Sequence, residues 1–264
     1  MNIFLRELRA NLRSLLIWGV VSVALIVLAI SKFAAYEGNP EMLEVLDSMP
    51  AALLETFQMN TFNLTTITGF YGVMFIYFSL IATISAAMWG SDVISKEERD
   101  KTVEFTLTLP VTRQKLITGK ILAALVNCIV LLLIIWGASL AAVAQYQPDS
   151  EFYTFLALSI LALFIIQMVF LAVGFFLGCS MKQYKRAGAV AIAVLLGTYF
   201  LSIISGLNEN LEFLGFFSPF TYFDPATLLN ESTIEVGYVL LSLGIIAVLT
   251  VGGYYTYAKR DLYI

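Results

Sequence analysis

The sequence predicts an all-α membrane protein with six transmembrane helices, an N-terminal amphipathic interfacial helix and both termini cytoplasmic. Of its 264 residues, 59% are hydrophobic and only 13% are charged, whereas a soluble domain carries about 25% charged residues. The apolar residues fall in blocks close to the ~20 residues that a helix needs to cross ~30 Å of hydrocarbon. Because backbone groups in lipid have no water to bond, each block is expected to be a helix.

The apolar blocks define a single transmembrane domain, 1–264, with six predicted spans. The first block is longer than the ~7–15 apolar residues of a signal-peptide core, so we expect it to be retained. Fourteen of the 15 basic residues lie on one side of the alternating connections, and Lys32 is the exception. The positive-inside rule makes that side cytoplasmic. The spans are predicted near 14–35, 68–94, 116–144, 152–180, 187–207 and 234–257.

Residues 1–13 have an amphipathic pattern ahead of the first span. At 100° per residue, Arg6, Arg9 and Arg13 cluster within about 60°, and four leucines share another face. This pattern predicts a helix lying in the inner interface, followed by a turn into the first span. The alternative is a basic tag that only sets the orientation.

The stretch 208–233 is too apolar for a free loop, and glycine and proline interrupt it too often for a span. We interpret it as an external re-entrant or interfacial segment. Irregular backbone of this kind is tolerated at membrane depth where protein covers it. The alternative is an aromatic anchor at the interface. The candidate gate residues are Phe216, Phe217, Pro219, Phe220, Tyr222 and Phe223.

The connection 95–112 is dense in charges of both signs and ends at Pro110. Residues 102–109 alternate as a strand does, but a lone strand would leave both edges unpaired, so a short helix is favoured. Thr112 suits the N-cap of the third span. Asp92, Lys120 and Glu235 are expected at helix ends that reach water.

This connection resembles the first cytoplasmic loop of ABC-2 type ABC transporter permeases. The matching residues are Glu97, Thr102, Val103, Glu104, Leu107, Pro110, Val111, Thr112, Arg113 and Lys120. Lys101 departs from the family pattern, where glycine is common. The segment from Ser218 to Pro225 is similar to one that precedes the last span in many such permeases.

The resemblance implies that 95–112 is a coupling element that contacts a separate ATPase subunit. The implied contacts are Glu97, Glu98, Arg99, Asp100, Lys101, Thr102, Glu104 and Phe105. A possible second contact is formed by Lys182, Lys185 and Arg186. The alternatives are a solvated charged loop for the first segment and a basic turn that sets topology for the second.

The chain lacks the glycine-rich G-x-x-x-x-G-K-[ST] phosphate loop and contains no histidine. We therefore expect no catalytic, cofactor-binding or metal-binding residues here, and ATP and magnesium on a partner subunit. The expected partners are ABC ATPase subunits, a second permease copy or a sister permease, and membrane lipid, with no nucleic acid. The expected location is a bacterial cell membrane, as a multi-pass protein.

Charged residues are nearly absent from the middle of the spans, which argues against ion-coupled transport. An exported apolar or amphipathic cargo is favoured: a drug, a lipid-like molecule or a hydrophobic peptide. The alternatives are an ATP-independent secondary transporter or channel, and an ABC-type sodium exporter permease. Gly174 and Gly178 form a GxxxG pattern, expected to pack helices within one chain.

Overall fold

The spans are long helices joined mostly by short connections, in a computed structural model. Its helices are α1 (Ile3–Phe33), α2 (Ile67–Arg99), α3 (Arg113–Val143), α4 (Ser150–Ser180), α5 (Tyr184–Leu207), α6 (Pro225–Asn230) and α7 (Val236–Lys259). Two 3₁₀ segments, Ala144–Tyr146 and Glu209–Phe217, follow α3 and α5. The structure describes residues 3–39, 48, 62–99, 111–207 and 209–259, and within them there is no strand.

Six of these helices, α1 to α5 and α7, are long and apolar enough to cross a membrane. This confirms the predicted number of spans. Side chains that cap helices fix several of their ends. The hydroxyl of Thr112 accepts a hydrogen bond from the backbone N–H of Lys115 at 3.3 Å, as expected for the N-cap of α3. The carboxylate of Asp149 accepts one from Phe152 N–H at 3.0 Å and caps α4.

The expected turn between an interfacial helix and the first span is wrong. A single helix of 31 residues, α1, runs from Ile3 to Phe33 and is itself the first span. The segment 3–18 contains no glycine or proline and is rich in leucine and arginine, which favour an uninterrupted helix. At 1.5 Å per residue α1 is about 46 Å long, so its first turns extend beyond the ~30 Å hydrocarbon layer.

The centre of the bundle is the pair α2 and α4, whose backbones touch through glycine. A methyl group at Gly174 of α4 would overlap the carbonyl oxygen of Ala87 on α2, and one at Gly178 would lie 2.6 Å from Ser91 O. Conversely, Gly90 of α2 faces the Leu171 carbonyl of α4. The GxxxG pattern therefore packs helices within one chain, as predicted.

The remaining spans surround this pair. α3 packs against α1, α2 and α4; α5 packs against α2, and α7 against α4. α5 and α7 leave most of their surface exposed. Side chains of α1, α5 and α7 that point away from the bundle are largely apolar, which suits contact with lipid or another membrane subunit.

The helices alternate in direction and so define two ends of the bundle. We call the end where α1, α3 and α5 begin and α2, α4 and α7 finish the basic end, because most of the basic residues lie there. At the opposite end, the Phe33 ring of α1 lies 5.3 Å from Phe70 of α2 and 4.9 Å from Tyr146 after α3. These aromatic contacts join three elements around the connections that leave that end.

Candidate functional site

A buried ion pair joins the two helices that flank the predicted coupling element. Lys120 Nζ of α3 lies 2.7 Å from Glu97 Oε1 of α2, and the lysine side chain is only 2% exposed. The same ammonium group donates a hydrogen bond to the Val93 carbonyl oxygen at 2.9 Å. The expectation that Lys120 reaches water is therefore wrong, because the ends of α2 and α3 pack over it.

The neighbouring residue of α2 contacts α1 instead. Lys96 Nζ donates to Asn11 Oδ1 at 3.0 Å and lies 3.7 Å from Glu7 Oε1. Two turns earlier on α2, the Trp89 indole N–H donates to Ser14 Oγ at 3.0 Å. The first turns of α1 are thus fixed along the last turns of α2, rather than lying apart from the bundle.

The start of α3 is also attached to α7. The Arg113 guanidinium lies over the Tyr257 ring, 5.9 Å from its centroid. The hydroxyl groups of Thr118 and Tyr254 are hydrogen-bonded at 2.8 Å. Both helices that border residues 100–110 are therefore bonded to neighbouring spans.

Most of the predicted ATPase contacts lie outside the described residues. Glu97 belongs to the last turn of α2, where it pairs with Lys120. Glu98 and Arg99 complete that helix, but their side chains are not described. The positions outside the described residues are Asp100, Lys101, Thr102, Glu104 and Phe105.

The second predicted contact lies in the short connection between α4 and α5. The side chains of Lys182, Lys185 and Arg186 are all exposed. The first turns of α5 pack on α2, because Gly188 faces the Ser91 hydroxyl. This basic connection therefore lies at the same end of the bundle as the last turn of α2.

The segment after α5 packs into the bundle. Its 3₁₀ portion, Glu209–Phe217, lies against α5, and α6 contacts α2 and α4. The Phe220 ring is 5.4 Å from Phe170 of α4 and 5.7 Å from Tyr199 of α5. Tyr199 is eight residues before Leu207, the last residue of α5, or about 12 Å along its axis. Phe220 therefore reaches well below the end of α5 and toward the middle of the bundle.

The six gate candidates fall into two groups. Pro219, Phe220, Tyr222 and Phe223 are buried, whereas Phe216 and Phe217 are 65% and 64% exposed. The Tyr222 ring stacks on Tyr238 of α7 at 5.0 Å, and its hydroxyl donates to the Phe216 carbonyl oxygen at 2.5 Å. Burial, helped by the nearby Tyr238, raises the pKa of Tyr222. One group anchors the segment and the other presents two phenyl rings to the surroundings.

Two buried hydrogen bonds between helices were not predicted from the sequence. The Tyr71 and Ser139 hydroxyls share a hydrogen bond of 2.8 Å between α2 and α3. The Gln167 side chain on α4 donates to the Ala82 carbonyl oxygen of α2 at 3.2 Å. Both hydrogen bonds link helices of the core, which gives these three side chains a structural role.

An apolar groove of 380 Å³ lies on the outer surface between α3 and α4. It opens away from the α2–α4 core, and its walls carry aliphatic and indole side chains. Its lining comprises Ile129, Leu132, Leu133, Trp136, Ala157, Ile160, Leu161 and Phe164.

These features describe a six-span α-helical membrane protein in which the first span begins and the last span ends at the same end of the bundle, and the last turns of α2 and first turns of α3 are bonded to neighbouring spans. The family model described as "ABC-2 family transporter protein" matches residues 1–262, essentially the whole chain. The chain belongs to this family, and is therefore the transmembrane, non-catalytic permease subunit of an ABC transporter. No curated protein matches it significantly.

Proposed function

We propose that this chain is the permease half of an ATP-driven exporter, and that residues 95–112 couple it to separate ATPase subunits. The observation that carries the proposal is the buried pair of Lys120 and Glu97, 2.7 Å apart on either side of that element. It ties the end of α2 to the start of α3. A push on the element would therefore move both helices together instead of bending the loop.

ATP and magnesium are assigned to the partner, because the chain has no phosphate-binding loop motif. Family membership implies ABC ATPase partners and usually a dimer of permeases. We propose a second copy or a sister permease beside this one. By the positive-inside rule, the basic end faces the cytoplasm of a bacterial cell, and the ATPase binds there.

The proposed cargo is apolar or amphipathic, such as a drug, a lipid-like molecule or a hydrophobic peptide. Support comes from polar side chains of the core: Gln167, near mid-depth, donates to the Ala82 carbonyl oxygen. The Tyr71 and Ser139 hydroxyls bond to each other nearer one end of the bundle. The surfaces left for a cargo are apolar, as in the groove between α3 and α4. A site for a small cation would need oxygen ligands, which such surfaces do not supply.

The segment after α5 is proposed to form the outer gate. Phe216 and Phe217 project from it, while Tyr222 stacks on Tyr238 of α7. Movement of α7 relative to α5 would shift this stacked pair. The exposed phenyl rings would then move with it and alter the outer opening.

The test of coupling uses charges that lie outside the Lys120–Glu97 pair. The variant Glu98→Gln/Lys101→Gln should insert normally and hydrolyse ATP with its partner, but lose most transport in proteoliposomes. The matched control Lys32→Gln/Glu37→Gln likewise removes one charge of each sign, from exposed positions at the opposite end of the bundle, and should transport normally. Full transport by the loop variant would overturn the coupling assignment.

A second measurement concerns the partner itself. We expect an ATPase subunit to co-purify with the chain in mild detergent. Transport by the purified chain alone, without ATP, would contradict the proposal and favour a secondary transporter or channel.

A further inference from the structure

Three arginines on α1 take no part in the contacts of the basic end. Arg6, Arg9 and Arg13 are exposed, and none has an ion-pair or hydrogen-bond partner among the residues that the structure describes. Lys96 and Lys120, by contrast, are bonded to neighbouring helices. A role for these three guanidinium groups must therefore come from outside the described part of the chain.

The arginines lie on the face of α1 that points away from the bundle. At 100° per residue, Arg9 and Arg13 share this face with Leu16 and Val20, which are 66% and 68% exposed. The stripe is thus basic in the first turns of α1 and apolar directly beyond them. A surface of this kind matches the charged and hydrocarbon layers of a lipid leaflet in the same order.

The length of α1 places the arginines at the depth of the lipid headgroups. Twenty residues separate Arg13 from Phe33, the last residue of α1, which corresponds to about 30 Å of helix. That equals the thickness of the hydrocarbon layer. With the apolar part of α1 in the hydrocarbon, the arginine side chains lie in the layer that contains phosphate.

The spacing of the three arginines also favours the binding of an anion. Arg6 and Arg9 are three residues apart, and Arg9 and Arg13 four apart, so adjacent guanidinium groups are neighbours on the helix surface and repel each other. The only acidic residue in α1 is Glu7, which is turned toward Lys96 of α2. A bound phosphate would remove the repulsion and accept paired hydrogen bonds from arginine.

We propose that Arg6, Arg9 and Arg13 form a binding site for the phosphate group of an anionic phospholipid, with its acyl chain along Leu16 and Val20. A lipid explains both halves of the stripe, whereas an acidic protein surface would explain only the basic half. The site is independent of the proposed ATPase contact. It places a bound lipid beside the turns of α1 that hold Lys96.

The test is native mass spectrometry of the full chain in detergent, with phosphatidylglycerol or phosphatidylcholine added at equal concentration. Wild type should retain phosphatidylglycerol preferentially. In the variant Arg6→Gln/Arg9→Gln/Arg13→Gln, the ratio of bound phosphatidylglycerol to bound phosphatidylcholine should fall about five-fold for each arginine removed. Glutamine favours helix and the sites are exposed, so folding should be preserved. Arg6→Lys/Arg9→Lys/Arg13→Lys keeps the charges and should keep most of the preference.

A charge-matched control distinguishes lipid binding at this site from a general effect of the net charge of the protein. Lys182→Gln/Lys185→Gln/Arg186→Gln also removes three positive charges at the basic end and should change the preference less. An equal loss in both glutamine variants would overturn the proposal, as would an unchanged preference in the α1 variant. If the α1 variant lost only its co-purifying ATPase subunit, the arginines would bind protein and the lipid site would be refuted.

Discussion

Replacing Lys120 by methionine leaves the Glu97 carboxylate in a mostly buried position without its counter-charge. Methionine matches the length of the lysine stem, so the packing around α3 is largely kept. The change removes the 2.7 Å ion pair and the 2.9 Å hydrogen bond to the Val93 carbonyl oxygen. The free energy of unfolding should therefore fall mainly through electrostatics.

Breaking a buried ion pair by removing one partner costs about 3–5 kcal/mol. The Glu97 side chain is 15% exposed, so it can reach some water, and we expect the lower limit, about 3 kcal/mol. The carboxylate also lies in the last turn of α2, where the helix dipole disfavours negative charge. For a chain of this size the loss corresponds to a fall in Tm of about 6–12 °C.

The assay is thermal unfolding of purified protein in mild detergent, with the second variant Glu97→Met/Lys120→Met as the control. The double variant buries no unpaired charge and should unfold within about 1 kcal/mol of wild type. The two side chains should thus be strongly coupled in a double-mutant cycle. Equal Tm values for wild type and Lys120→Met, or a double variant less stable than the single one, would refute the reasoning.

Five further substitutions test three other contacts, two of them as controls, and each is followed by thermal unfolding in the same detergent. Gly174→Ala places a methyl group against a backbone carbonyl of α2 and should cost about 1–3 kcal/mol, whereas Gly137→Ala meets nothing within 4 Å and should be neutral or slightly stabilising. Phe220→Ala should cost about 3 kcal/mol because its ring is buried, and Phe216→Ala, which is exposed, less than about 0.5 kcal/mol. Ser14→Ala leaves a buried indole N–H of α2 without its acceptor and should cost about 1 kcal/mol. Similar stabilities within either pair, or no effect of the serine change, would contradict the corresponding contact.

The spans were predictable because their signal is local. Each is a long apolar block, and Thr112 and Asp149 cap helices that begin where the sequence indicates. The prediction for α1 is wrong in one respect. The amphipathic pattern of residues 1–13 predicts a separate interfacial helix, whereas these residues continue directly into the first span. The pattern is present and its arginine face points away from the bundle, but Asn11 and Ser14 on another face bond to α2, and the sequence of α1 alone does not indicate these contacts.

The site was predictable only in part, because its key contact joins residues that are distant along the chain. The sequence predicts that Glu97 faces a partner and Lys120 faces water, yet the two side chains form an ion pair with each other. Nothing in the local sequence distinguishes a lysine that reaches water from one covered by a neighbouring helix. The spacing of 23 residues across a helix–loop–helix connection was the available signal, since it returns the start of α3 to the end of α2.

The glycine contact between α2 and α4 also bears on how the chain is built during translation. Gly90 of α2 finds its partner, the Leu171 carbonyl, only in residues 150–180, after the intervening α3 has been synthesised. Until then, no helix is present that can approach the backbone of α2 closely at Gly90. Chains interrupted before α4 would carry that surface of α2 open in the bilayer. Completion of the fourth span is thus the step that turns separate inserted helices into a protein with a core.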